Sequence, residues 1–536
     1  MAFCVLISKL DTQLSERLQV PYLNNIYGFI LCTLSCFLLT GCAASPANTA
    51  RTSWPKEFQT DPILLLNRVT WGANTNEMHQ LVDRGVENYL DSQLHPDPVI
   101  TLPNTVHAQI SGMQISQKNM VQLAVESEQK RKAADAIASD DEKKAAQQAY
   151  QQYLNQLAKE TATRSLLRDL YSPRQLVEQM TWFWMNHFSV HQSKSNLRVL
   201  LADYEDQIRA HSLGSFRDLL TVTAHHPAML RYLDNEQNAK GHINENYARE
   251  LMELHTLGVA GGYSQADVQE LARILTGLGV NLSDQKPAVK KEWQDQYWRQ
   301  GLFEFNPNHH DYGNKTFLGK SIHGRGIAEV DEVLDLLAFH PATAHFVSRK
   351  LAVYFVGDSP SDALVDHMAK TFLASGGQIS EVLRTLFMSS EFRASLGTKF
   401  KDPIHYVVSS VRLAYDDKTI LNAGPMINWL NRMGEQLYGR QTPDGYPLIQ
   451  VSWASSGQMT TRFEIAKAIG SGNAGLFRTD NPEATERAAF PQLANALYYQ
   501  SWQSTLGAET KAALDQAVSQ QEWNIFLLAS PEFMKR

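Results

Sequence analysis

This sequence predicts a mainly α protein, a multi-helix globular body with short hairpin or loop insertions. Three observations carry that expectation. Apolar residues recur at helical spacing in short stretches that stop at glycine, residues 118–160 shift to Ala, Gln, Lys and Glu, and residues 244–257 segregate polar from apolar side chains at helical intervals. Of 536 residues, 43% are hydrophobic and 10% aromatic, which is material for a large core rather than a disordered chain. A formal net charge of -7 argues against nonspecific nucleic-acid binding, which needs a basic surface, so no nucleic-acid partner is expected.

At the start of the chain, an apolar run over residues 26–39 leads into Leu39-Thr40-Gly41-Cys42. The run is shorter than the roughly 20 apolar residues that span a bilayer, so cleavage is a better reading than a permanent span. The tetrapeptide resembles the lipobox at which bacterial signal peptides are cut and the new terminal Cys is lipidated. Residues 1–41 are therefore expected to be a signal peptide, Cys42 the lipidation site and membrane anchor, and 42–58 a small, polar, proline-bearing tether. Ala43 after the Cys suits export to the outer membrane; an uncleaved anchor, or a secreted or periplasmic protein without lipid, is the alternative. All four cysteines, Cys4, Cys32, Cys36 and Cys42, lie at or before this junction, which leaves the exported body no disulfide or thiolate chemistry.

The body, residues 59–536, opens with Asp61-Pro62, an N-cap arrangement ahead of a stripe formed by Ile63, Leu66 and Val69 that ends at Gly72. Met78, Leu81 and Val82 start a second stripe that stops near Gly85. Residues 118–160 should form one long helix or a helical hairpin broken at Ser139-Asp140-Asp141, because Ala and straight-chain residues lose little entropy in a helix. Apolar residues thin out over 138–152, so one side of this insertion should face water and serve support or partner contact.

The centre of the chain is chemically richer. In the run TWFWMNHFSVH at 181–191, His187 and His191 share a face if the helix persists through both, and such a pair can hold a metal. The surrounding aromatics make a packed apolar helix the plainer reading, with His187 lining a cleft. In NENYARELMELHTL at 244–257, Asn246, Glu250 and Glu253 make one polar stripe, opposed by Tyr247, Leu251 and Leu254. Glu245 and Arg249 form an i, i+4 pair, while His255 falls off the Glu250 face. Two carboxylates a turn apart can bind a divalent ion or divide acid and base roles; they can equally join a buried ion-pair network with Arg249 and Arg273. Gly258, Gly261 and Gly262 precede Ser264, a capping residue for Asp267 and the helix beyond, and make a turn rather than a phosphate loop. In FEFNPNHHDYGNKTFLG at 303–319, His309, His310, Asp311 and Lys315 sit on a loop following a short hairpin arm. They cannot all be core residues, since each buried polar group needs a partner. Brought against Glu250, this loop would complete an N/O-ligand site for Zn, Mn or Fe.

The C-terminal third reads as scaffold. Residues 346–356 form an apolar helix with Arg349 and Lys350 flanking one face, and Ile379, Val382, Leu383, Leu386 and Phe387 make a clear stripe. Trp453 and Arg462 have both a packing and a cleft-lining reading, and the segment around Ser455-Ser456-Gly457 lacks the paired His and Asp of a serine hydrolase.

Taken together, WFWMNHF at 182–188, HPAMLRYLDNEQN at 226–238, the block from 244 to 277 and HHDYGNKTFLG at 309–319 resemble the bacterial family called domain of unknown function 1800. NRVTWGA, FVSRKLAVYFVGDSP, TPDGY and SPEFMKR follow in the family's order. Trp71 stands where many relatives carry Phe, and 118–160 looks like a variable insertion. The resemblance implies a largely helical, exported protein, often encoded beside a sulfatase-like or phosphatase-like exported partner, and gathers Asn244, Glu245, Asn246, Arg249, Glu250, Glu253, His255, His310, Asp311 and Lys315 near one site without assigning roles.

The expected function is that of an envelope lipoprotein, with metal-assisted hydrolysis as one reading. There Glu250 or Glu253 ligates metal or activates water, His310 and Asp311 ligate, and Arg249 or Lys315 steadies negative charge, with Asn244, Glu245, Asn246, His255 and His187 around the pocket. The alternative is a noncatalytic binding or assembly protein.

Overall fold

Two helices that are buried around almost their whole circumference set the architecture, since a helix without a solvent-facing stripe must be enclosed by others. Gln175–His187 buries all but Trp182 and Met185, and Pro403–Ala414 buries every residue. The computed structural model describes residues 54–536 apart from 56–57, 59–60, 100, 284, 417 and 480–489. The proposed signal peptide, Cys42 and nearly all of the tether lie outside the described residues.

Trp54–Arg536 make one unit, mainly helical, with short antiparallel strands and no closed sheet among the described residues. Around the first core helix, Trp184, Phe188 and Phe216 stack at ring separations of 5.8–6.2 Å. Trp71, Trp182, Tyr354 and His405 interlock on its other side. Trp71 therefore fills a core position, as a Phe would.

The expected early elements form. Pro62–Val69 starts at Asp61 with proline at its first position, although the Asp61 side chain makes no capping bond. Residues 118–160 adopt the hairpin alternative: Met120–Asp135 opens on an Asn119–Gln122 capping box, and Asp140–Tyr171 begins with Asp140, Asp141 and Glu142 against the positive end of the helix dipole. Residues 141–149 of the second helix face mainly outward. Farther along, Tyr150, Leu154 and Leu157 are buried, and Arg198 donates to Asn155 Oδ1 and Gln151 Oε1.

Strands Leu278–Val280, Trp298–Gln300 and Phe303–Phe305 pair with the last in the middle, Leu278 opposite Phe305 and Val280 opposite Phe303. A separate hairpin pairs Lys315–Phe317 with Lys320–Ile322. Alternation buries Lys315 and Phe317 on one face and leaves Thr316 outside, which carries a lysine into the interior. No helix among the described residues is long and apolar enough to cross a membrane.

Candidate functional site

Residues 244–257 do not form one continuous α-helix. Asn246–Glu250 is α-helical, and Leu251–Thr256 continues as a π-helix in which the Thr256 hydroxyl donates to Leu251 O at 2.7 Å. Widening the turn advances the buried phase, so Met252, His255 and Thr256 point inward with Leu251, while Leu254 is only half-buried. Asn246, Glu250 and Glu253 stay on the outer side. The asparagines tie backbone rather than ligand: Asn244 Oδ1 accepts from Asn246 N at 3.0 Å, and Asn246 Nδ2 donates to Leu233 O at 3.1 Å.

The charges flanking this segment are used locally. Arg249 Nη2 donates to Glu245 Oε2 at 3.1 Å and Gln265 Oε1 at 2.9 Å, closing the helix onto Gln265–Ile274, which starts with the expected Ser264–Asp267 capping box. Arg273 binds Glu270 and Asp311, at 2.9 Å each, instead of Glu250. Burial alone would raise the Asp311 carboxyl, but the Arg273 guanidinium and the Gly313 N–H hold it below the usual range.

His310 and Lys315 are interior groups. His310 Nδ1 lies 2.8 Å from Thr276 O and its Nε2 3.0 Å from Glu329 Oε1. Lys315 Nζ donates to the other Glu329 oxygen and to Asp311 O. Glu329 also accepts from Arg325 N at 2.6 Å and Gly326 N at 3.0 Å, capping Ile327–Ala338. Burial opposes ionisation of Glu329, yet His310 and Lys315 hold its carboxyl below the ordinary value. Of the loop cluster His309, His310, Asp311 and Lys315, only His309 is exposed. Glu250, His310 and Asp311 do not form a preformed ligand set: both imidazole nitrogens have other partners, Asp311 turns to Arg273, and no group of three or more metal-ligating side chains occurs among the described residues. Glu329 is not marked by any of the sequence motifs; its legible signal is an acidic side chain three residues after the N-cap Gly326.

A second cluster joins three segments. Gln175–His187 ends at His187, so His191 lies beyond the helix and the i, i+4 pair does not form. Buried His187 accepts from Lys350 Nζ at its Nδ1, 2.9 Å away, and donates from Nε2 to His255 O at 3.0 Å. That pattern defines the tautomer as Nε2–H. Burial, then Lys350, pushes His187 well below the ordinary imidazole value and His255 down to about 3. His255 Nε2 is buried without a hydrogen-bond partner. Gly258 follows with φ +81°, and a Cβ there would sit 3.0 Å from the Phe346 ring, so a close packing contact requires this turn glycine.

Lys350 is half-buried over the Phe346 ring, and burial lowers its amine to about 8 against a small opposing effect of Asp444. Beyond the effect of burial, Asp444 also raises the Glu250 carboxyl and the Tyr232 phenol, so the charges of these groups act on one another. Burial and Glu253 raise the Glu250 carboxyl. The 442–446 turn is clamped by Asn186, whose Oδ1 accepts from Tyr446 N at 2.6 Å and whose Nδ2 donates to Tyr446 O at 3.0 Å. Arg440 and Thr442 hold the Asp444 carboxyl below its usual range despite burial. Trp453 donates to Pro447 O at 2.8 Å, and Arg462 is buried across Tyr406, so both belong to packing.

Lys350 yields a pH prediction. Between about 8 and 10.5 the folded protein holds this amine neutral while the unfolded chain remains protonated, so stability should rise with pH there. Lys350→Met should flatten that rise by up to about 3 kcal/mol, at about 1.4 kcal/mol per pKa unit. Urea unfolding at pH 7.5 and 10 measures it, and parallel responses of both proteins would refute the assignment.

The fold and the two clusters define a helical protein braced by buried charge networks. The chain belongs to the family described as Protein of unknown function (DUF1800), whose model matches residues 64–535. No curated protein and no solved structure matches it.

Proposed function

We propose that this is a noncatalytic binding or assembly protein of the cell envelope, tethered through lipidated Cys42 and partnered with another exported protein. The observation that supports this most is the use of charge in the family-typical motifs. Glu245, Arg249, Arg273, Asp311, His310 and Lys315 brace one segment against another. The outward-facing residues 141–149 of the insertion supply a surface beyond that frame. A sulfatase-like or phosphatase-like exported protein encoded alongside is the partner to test.

Metal-assisted hydrolysis at Glu250 remains the second reading, favoured by its raised carboxyl and the lowered Lys350 amine, on both of which Asp444 acts. One experiment separates the two: elemental analysis of the full chain purified without a metal-affinity tag, with Glu250→Ala and His310→Ala, alongside co-expression with the encoded neighbour. Binding or assembly predicts a folded wild type without stoichiometric Zn, Mn or Fe, and stoichiometric co-purification of the neighbour. Near-stoichiometric metal, lost from a folded Glu250→Ala protein, would replace this reading with hydrolysis. Palmitate incorporation that disappears in Cys42→Ser would support the tether; unlabelled wild type would remove it.

A further inference from the structure

A small cavity of about 40 Å³ lies beside Gln175–His187, with room for about three waters. Four carboxylates line it, Asp169, Glu178, Glu205 and Glu435, each at most 4% exposed. Two are balanced: Arg209 grips Glu178 in a bidentate pair, and Arg164 lies 3.5 Å from Glu205. Asp169 and Glu435 have no ion-pair partner among the described residues. Glu435 is 1% exposed and accepts from Ile404 N through Oε2 at 2.7 Å, while its Oε1 has no hydrogen-bond partner. Leaving such an acceptor dry and unpaired is costly, and a carboxylate without a cation more so.

The rest of the wall indicates what would satisfy it. Trp182, Met185 and Tyr446 supply apolar and aromatic surface, the combination that receives a cationic head group while carboxylates take its N–H bonds. The exposed Gln436 and the half-buried Arg440 also line the cavity and form its approach. Arg440 is neutralised by Asp444, so the approach does not repel a cation. Burial and the facing Glu178 and Glu205 raise the Asp169 carboxyl, and burial with Asp402 raises that of Glu435, as expected of acids awaiting a counter-charge.

We infer that this cavity is a binding site for a small primary ammonium group, held between Glu435 and Asp169 against Trp182. The volume admits a head group and not a large ligand, and a primary ammonium brings N–H donors for the unpaired Glu435 Oε1, which a quaternary ammonium lacks. The inference is independent of the envelope-assembly reading.

Thermal unfolding of the purified full chain with methylammonium chloride tests it, with NaCl, KCl and tetramethylammonium chloride at equal ionic strength. Saturable stabilisation by methylammonium alone is expected. Glu435→Gln keeps an oxygen for the Ile404 N–H and should raise the apparent Kd at least tenfold while remaining folded; Asp169→Asn should weaken binding in the same direction. Methylammonium acting no better than NaCl would overturn the inference, as would unchanged binding by a folded Glu435→Gln protein. Equal stabilisation by KCl would also overturn it, by making this an inorganic cation site.

Discussion

Glu329→Ala is expected to lower the unfolding free energy by about 3–5 kcal/mol, the scale for removing one partner of a buried ion pair. The Glu329, His310 and Lys315 side chains are all 0% exposed, so the variant strands an imidazole and an ammonium in the interior. It also uncaps Ile327–Ala338 by removing the acceptor of the Arg325 and Gly326 N–H groups. Glu329→Gln retains acceptor oxygen but not charge and should fall between wild type and Ala. Urea unfolding at pH 7 measures the series; a loss below about 1 kcal/mol for Ala would mean that the network contributes little beyond solvated polarity.

The same carboxyl makes acid stability testable. Its folded value lies below the ordinary 4.5, so its ionisation stabilises the protein above that pH. The contribution fades as pH falls through 4.5 and the lower folded value. Wild type and Glu329→Gln should therefore differ most near neutrality and converge in acid. A constant gap down to pH 3 would contradict the linkage.

Gly445→Ala should cost about 2–3 kcal/mol, for two reasons that act together. Residue 445 has φ +76°, which L side chains rarely adopt, and a Cβ there would lie 2.1 Å from Asn186 O. The 442–446 turn must then lift from Asn186 and carry Asp444 away from Lys350. Asp444 favours protonated Lys350, so its departure should lower that amine below about 8. Amine labelling of Lys350 across pH, read by mass spectrometry, would show its midpoint moving down; an unchanged midpoint in a destabilised variant would confine the effect to backbone strain. Unchanged stability would reject the clamp itself.

Several elements were legible because their causes are local. The break at Ser139-Asp140-Asp141, the Ser264 cap and the glycine turn after Leu257 follow from backbone preferences that neighbouring residues satisfy by themselves. The i, i+4 pair of Glu245 with Arg249 is likewise a matter of helical spacing. The π-helical turn was not legible, since nothing in ELMELHT distinguishes it from α-helix without the packing that draws His255 and Thr256 inward. The site was only half visible for a related reason. His310, Asp311 and Lys315 stood out as chemistry-bearing types, yet the choice between ligand and brace depended on Glu329, Thr276 and Arg273, which reach them from other elements.

By itself the sequence determined the helical class, family membership, and most caps and turns, because these reside in composition, short spacing and motif order. Only tertiary structure decided that Lys315 faces inward to Glu329, that Lys350 leans on His187, and that Asp444 is held near both Lys350 and Glu250. Burial and opposing charge set the behaviour of an ionisable group, and both are properties of residues distant in the chain that folding brings within a few ångströms.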